Sequence, residues 1–372
     1  MLDGSSAGLG APRFGDEADF AIGVEEELIL VDPATCALRN HAAEVLERMA
    51  GEPGMGEAKP DTYAAMIELA TTVLRSAGEG ARALSKLRAL AREADATVIG
   101  AGIHPDAAFG DVEHFDAPRY EFIVEQVRGL LSRTPTAALH VHVGMPDADT
   151  AIRVFNGLRE QLPLLQALAA NSPFWHGRDS GLATARSVLF RGYPNAEIPR
   201  AFSSYDEYAE TVGGVVAAGE LPDYTFLWWD IRPHPKMGTV EVRAMDSQSD
   251  LRAVAGLAAL VHGLARAEVD RPPGDWVARE TLMEASFCAS RDGLGARVPV
   301  NGSLRPVREA ARAALDRARP YAAELGSADA LEGIERILAE GNGADRQRAA
   351  YASGGMPALL ALLVDEARRP YG

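Results

Sequence analysis

Three stretches far apart in this chain alternate apolar and polar side chains with a period of two, and their polar positions carry chemically capable groups. In residues 21–31 (Ala-Ile-Gly-Val-Glu-Glu-Glu-Leu-Ile-Leu-Val), Glu25 and Glu27 fall on one face of a predicted strand, their Cα atoms roughly 7 Å apart. In residues 139–144, His140 and His142 share a face in the same way, and in residues 238–243 Glu241 and Arg243 do so. Each pair has a plain reading: acids on a solvated face, structural histidines, a surface ion pair. Three pairs with the same period are more simply one site. Neighbouring carboxylates inside apolar strands repel unless a cation lies between them. Acids, imidazoles and an arginine gathered on sheet faces suit hard cations holding a phosphorylated ligand.

Elsewhere the apolar period is helical. Residues 41–50, 81–94, 120–131, 150–170 and 251–269 read as helices, and the tail from 306 to 369 as helix with short glycine breaks. Thr97–Ile103 reads as a buried strand ending at His104-Pro105. In residues 61–73, Asp61 lies in a loop and Glu68 in a β-branched run for which strand and helix compete. Strands separated by long helical insertions predict an α+β fold, helices packed on one face of a mainly antiparallel sheet. Residues 1–15, rich in Gly, Ala and Ser, read as a disordered leader, and 16–372 as a single domain with a helical C-terminal part.

Composition narrows the function. A formal net charge of −16 argues against a nucleic-acid partner. It does not exclude ATP, because bound Mg²⁺ supplies local positive charge. Cys36 and Cys288 are too few for a disulfide framework and lack a visible activating neighbour, so both read as ordinary thiols. No apolar run reaches the length of a membrane span, and a cytoplasmic protein is expected. The segment 171–181, by default a connecting loop, is followed by Arg186, Arg191 and Arg200. Arg178, Arg186 and Arg191 lie close enough in sequence to suit planar, bidentate recognition of an anionic substrate or phosphate.

Five segments, in order, carry a family resemblance: GVEEELILVDP (23–33), DTYAAMIELATTV (61–73), LHVHVG (139–144), NSPFWHGRDSG (171–181) with ARS (185–187), and WWDIRPHPKMGTVEVR (228–243). Together they resemble the carboxylate–amine ligases, or type 2 glutamate–cysteine ligases, of the glutamine-synthetase-like superfamily. A weaker echo surrounds Arg291-Asp292-Gly293. The resemblance implies a curved antiparallel sheet forming a funnel-like active site covered by helices. It implies ATP and Mg²⁺ (or Mn²⁺) as cofactors and an acyl-phosphate route from a carboxylate such as glutamate to an amide. It further implies Glu25, Glu27, Glu68, His140 and Glu241 as metal ligands, Asp61 as an acid at the site mouth, Arg243 as the phosphate-stabilising arginine, and Arg232 as a contact to phosphate or substrate carboxylate. His142 would orient substrate or support a ligand. The partners implied are small-molecule substrates, with homo-oligomerisation left open.

The chain departs from the family pattern at Leu189–Tyr193 and at Glu284–Ser290, so these segments are expected to shape the acceptor side. Two other classes remain in view: a metal-dependent amide hydrolase, which would need no nucleotide, and a silent metal-binding protein.

Overall fold

The computed structural model describes residues 9–51, 54–272 and 274–372. Its strands are β1 (Ile22–Leu30), β2 (Gly56–Pro60), β3 (Met66–Thr71), β4 (Val98–Ile99), β5 (Ala138–Gly144), β6 (Phe174–Trp175), β7 (Arg178–Asp179), β8 (Ile231–His234), β9 (Thr239–Asp246), β10 (Arg297–Val300) and β11 (Ser303–Pro306). Its helices are α1 (Ala42–Met49), α2 (Ala77–Glu93), α3 (Pro118–Val127), α4 (Ala148–Ala169), α5 (Ala185–Phe190), α6 (Tyr205–Ala218), α7 (Leu251–Val269), α8 (Arg279–Asp292), α9 (Val307–Glu324), α10 (Glu332–Glu340) and α11 (Gly343–Arg368). The main sheet runs β2-β3-β1-β5-β9-β8, with β4 also on β1, and every pairing is antiparallel. The α+β expectation holds.

Alternation along β1, β5 and β9 divides the sheet into two faces. Val24, Leu28, Leu139, Val141, Val143, Val240 and Val242 join one apolar core with residues of α2, α4 and α7. Side-chain caps start these helices: Ser76 accepts from the Glu79 amide before α2, and Asp147 from the Thr150 amide before α4 at 2.6 Å. Glu26 also points into this core. Its carboxylate, fully buried, takes a two-pronged contact from Arg88 of α2 at 2.7 and 2.6 Å. Arg88 gives its remaining donors to the carbonyls of Ser249 and Gln248. The middle acid of the Glu25–Glu27 run is therefore a structural counter-charge.

Several expectations are corrected. Residues 1–8 of the expected leader lie outside the described residues, but 9–15 are docked: Leu9 is in the core, and the Arg13 and Gly15 amides donate to the carbonyls of Pro235 and Met145, each at 2.9 Å. The run 97–103 is strand only at Val98–Ile99. Beyond it, Gly100 and Gly102 bring the backbone so near Gln248 and Asp246 that a Cβ would clash, and close packing replaces strand pairing. The helical tail is as expected, with Gly354 and Gly355 breaking α11.

On α7, His262 is fully buried between the Phe20 carbonyl and the Ser327 hydroxyl, at 2.7 and 2.9 Å. Burial pushes its pKa down to about 4 from an ordinary 6.5. The unfolded chain thus binds a proton more readily, so this stability is complete above pH 6.5 and is lost as pH falls toward 4, at most roughly 3 kcal/mol. The His262→Gln variant should show a flatter fall of Tm between these pH values. Parallel profiles would refute this.

Candidate active site

The opposite sheet face carries the polar residues. Cross-strand register sets them side by side: Glu25 faces His140, Glu27 faces Glu68, and His142 faces Glu241, which in turn faces Arg232. Between Leu139 and Val141 the pairing of β5 with β9 slips, so that His140 meets both Arg243 and Ala244.

One group could clasp a cation. Ligand atoms of Glu25, His142 and Glu241 all lie within 4.8 Å of one another, the only such group of three among the described residues. The His142 Nε2 stands 3.5 Å from Glu25 Oε2 and 3.8 Å from Glu241 Oε1. Its Nδ1 is held by Thr239 Oγ1 at 3.0 Å, which fixes the ring with Nε2 inward. His140 lies alongside, 3.5 Å from Glu25 and 3.6 Å from Glu27. The Nε2 atoms of both histidines are buried without a hydrogen-bond partner. Inward imidazoles lacking a donor or acceptor, among carboxylate oxygens, fit a hard divalent cation. His142 is thus more central than its sequence suggested.

The electrostatics agree. Burial, with Asp61 adding to it, pushes the Glu27 carboxyl up to about 8. Burial and then Glu25 push Glu68 well above the carboxylate range. At Glu241 burial acts the same way but is outweighed by Arg232, Arg243 and His142, which hold its pKa well below that range. Burial likewise opposes ionisation of Glu25, and His142 and His140 overcome it. At His140, burial and then Arg243 lower the pKa to about 4; at His142, Glu25 and Glu241 outweigh burial and raise it. Burial and neighbouring acids thus work against the charged forms of Glu27 and Glu68. A divalent ion would favour those charged forms instead.

Next to this cluster a cavity of about 80 Å³ is lined by Glu27, Asp61, His140, Arg186 and Arg243 with aromatic walls from Tyr193 and Trp228. Arg186 and Arg243 each keep a buried Nε without a partner. Arg243 also pairs with Glu241. Arg232 has its donors committed to Glu241 and to the carbonyls of Thr225 and Leu227, which places it behind Glu241 rather than toward a ligand.

Two of the three arginines grouped by sequence proximity are not brought into this cavity. Arg178 is exposed on the β6–β7 hairpin, because the tight turn at His176-Gly177 folds its strand back on Trp175. Arg191 binds Asp230 at 2.5 Å and the Ala196 carbonyl at 2.7 Å, lining a second cavity of about 420 Å³ between α5 and α8. Arg200 pairs with Glu207 at the surface. Sequence reasoning missed Lys59, whose alternation with Glu57 on β2 was the available signal, and His234, whose Nδ1 is 3.0 Å from the Tyr224 hydroxyl.

The model of glutamate-cysteine ligase family 2 matches residues 21–362, a span that contains every site residue above. The chain belongs to glutamate-cysteine ligase family 2. This bears out the resemblance and the ATP-dependent carbon–nitrogen ligase class it implies. A Rubrobacter xylanophilus protein named "Putative glutamate--cysteine ligase 2-3" is 40% identical over 92% of this chain and 95% of its own length. A Halobacterium salinarum protein named "Glutamate--cysteine ligase" is 36% identical over 77% of this chain and 82% of its own. The crystal structure of a Francisella tularensis glutamate–cysteine ligase in complex with AMP shares the fold, with a TM-score of 0.71 at 14% identity, covering 95% of this chain and 88% of that one. No helix among the described residues is long and apolar enough to cross a membrane.

Proposed function

We propose that this protein uses Mg-ATP to convert the γ-carboxylate of glutamate into an acyl phosphate and couples it to an amine such as cysteine. The observation that carries this reading is the Glu25–His142–Glu241 group, with its unpartnered imidazole nitrogen, beside the free Nε atoms of Arg186 and Arg243. Glu25, His142 and Glu241 would hold one cation, and Glu27, Glu68 and His140, which do not gather as closely, would offer further donors on the same face. Bound metal neutralises charge on the transferring phosphoryl group.

The chain's own groups do the rest. Arg243 and Arg186, both lining the cavity, would face the phosphoryl oxygens. A carboxylate oxygen attacks the γ-phosphorus and ADP leaves. The amine nitrogen then attacks the carbonyl carbon, phosphate departs with the C–O bond pair, and the nitrogen loses a proton. Asp61, at the cavity wall with its carboxyl pKa raised chiefly by burial, is the candidate acceptor of that proton.

The cavity between α5 and α8 supports an acceptor side there. It is bounded by Ser187, Arg191 and Tyr193 on one side and by Met283, Ser286 and Phe287 on the other, and Tyr193 also lines the sheet cavity. The two divergent segments thus meet at one place.

Glutamate with Mg-ATP and hydroxylamine, but no other amine, should yield a hydroxamate and ADP together, and chelator should abolish both. Hydroxamate formed without ATP would refute the acyl-phosphate route and favour the hydrolase class.

A further inference from the structure

Lys59 stands on β2, the outer strand of the sheet, directly across from Glu68. Its ammonium is 3.7 Å from Glu25 Oε1, 3.7 Å from Glu68 Oε1 and 3.2 Å from Glu57 Oε1. The other oxygen of Glu25, Oε2, is the one that faces His140 and His142. The carboxylate of Glu25 therefore bridges two positive positions, a fixed ammonium on one side and the candidate cation group on the other. Lysine on an outer strand commonly guards against edge-to-edge pairing and then points to solvent. Here it reaches the largely buried Glu25 and Glu68 as well as the exposed Glu57 of its own strand, with its side chain 36% exposed.

We propose that Lys59 is a built-in cation of the active site: it occupies the position between Glu25 and Glu68 that a further divalent ion would otherwise take. It acts as a positioning residue, since it fixes which Glu25 oxygen is offered to the neighbouring cation. The inference rests on the proposed metal-holding role of this sheet face. Its chemistry is simple. Like-charged carboxylates this close need a positive partner, and a tethered ammonium supplies one without displacing water from a metal ion. With Lys59 neutralised, the oxygens of Glu25 and Glu68 become free to bind a hard cation.

The test is a count of bound Mn²⁺ per chain, by calorimetry and by the electron paramagnetic resonance of free Mn²⁺. Lys59→Gln should bind one Mn²⁺ more than the parent protein, and Lys59→Arg, which keeps the charge, should match the parent. An unchanged count in Lys59→Gln, with Mn²⁺ bound by the parent, overturns the role of Lys59 alone. A parent protein that binds no Mn²⁺ overturns the metal reading itself, and this inference falls with it.

Discussion

Glu241→Gln should lower kcat by on the order of 10² or more and weaken Mn²⁺ binding by about 10–100-fold. Glu241 is the one carboxylate in the triad that is held ionised by two arginines, and it is almost completely buried. Glutamine keeps its shape but removes the negative charge, which the proposed cation group beside His142 would lose. The same change leaves Arg232 without its counter-charge, and Tm should fall as well. Measuring Mn²⁺ affinity beside turnover separates the two effects, because a merely unstable variant binds metal normally while folded. Parent-like turnover and affinity would remove Glu241 from the site.

The largest effect on stability should come from the other face of the same sheet. Glu26→Gln strands the buried guanidinium of Arg88, whose side chain is only 2% exposed. Removing one partner of a buried pair costs about 3–5 kcal/mol. Replacing both, as Glu26→Leu with Arg88→Met, should recover most of that loss, since packed apolar groups need no counter-charge. Urea unfolding of the single and double variants decides the matter. A cost below about 1 kcal/mol for Glu26→Gln would mean that the two backbone carbonyls alone satisfy Arg88.

The site was legible where its chemistry repeats every second residue. Glu25 with Glu27, His140 with His142, and Glu241 with Arg243 all lie on the face that alternation assigns them. What one strand cannot report is its neighbour's register. Hence Glu241, His142 and Glu25 form the tightest group, whereas His140 looked the stronger histidine. Arg178 and Arg191 were grouped by closeness along the chain, but a two-residue turn exposes one and Asp230 engages the other. Glu26 was hidden for another reason: its partner Arg88 is a helix residue 62 positions away, and nothing local distinguishes it from a surface arginine. The strand reading of 97–103 failed because Gly100 and Gly102 serve close backbone approach, which hydrophobic patterning does not encode.

The strand order has a consequence for biogenesis. The clasp needs β1, β5 and β9, and β9 begins only at Thr239. A nascent chain that has released Glu25 and His142 from the ribosome still lacks Glu241, so these three ligand atoms cannot yet come together. On the proposed metal reading, ion binding at this group would report completed assembly of the central sheet.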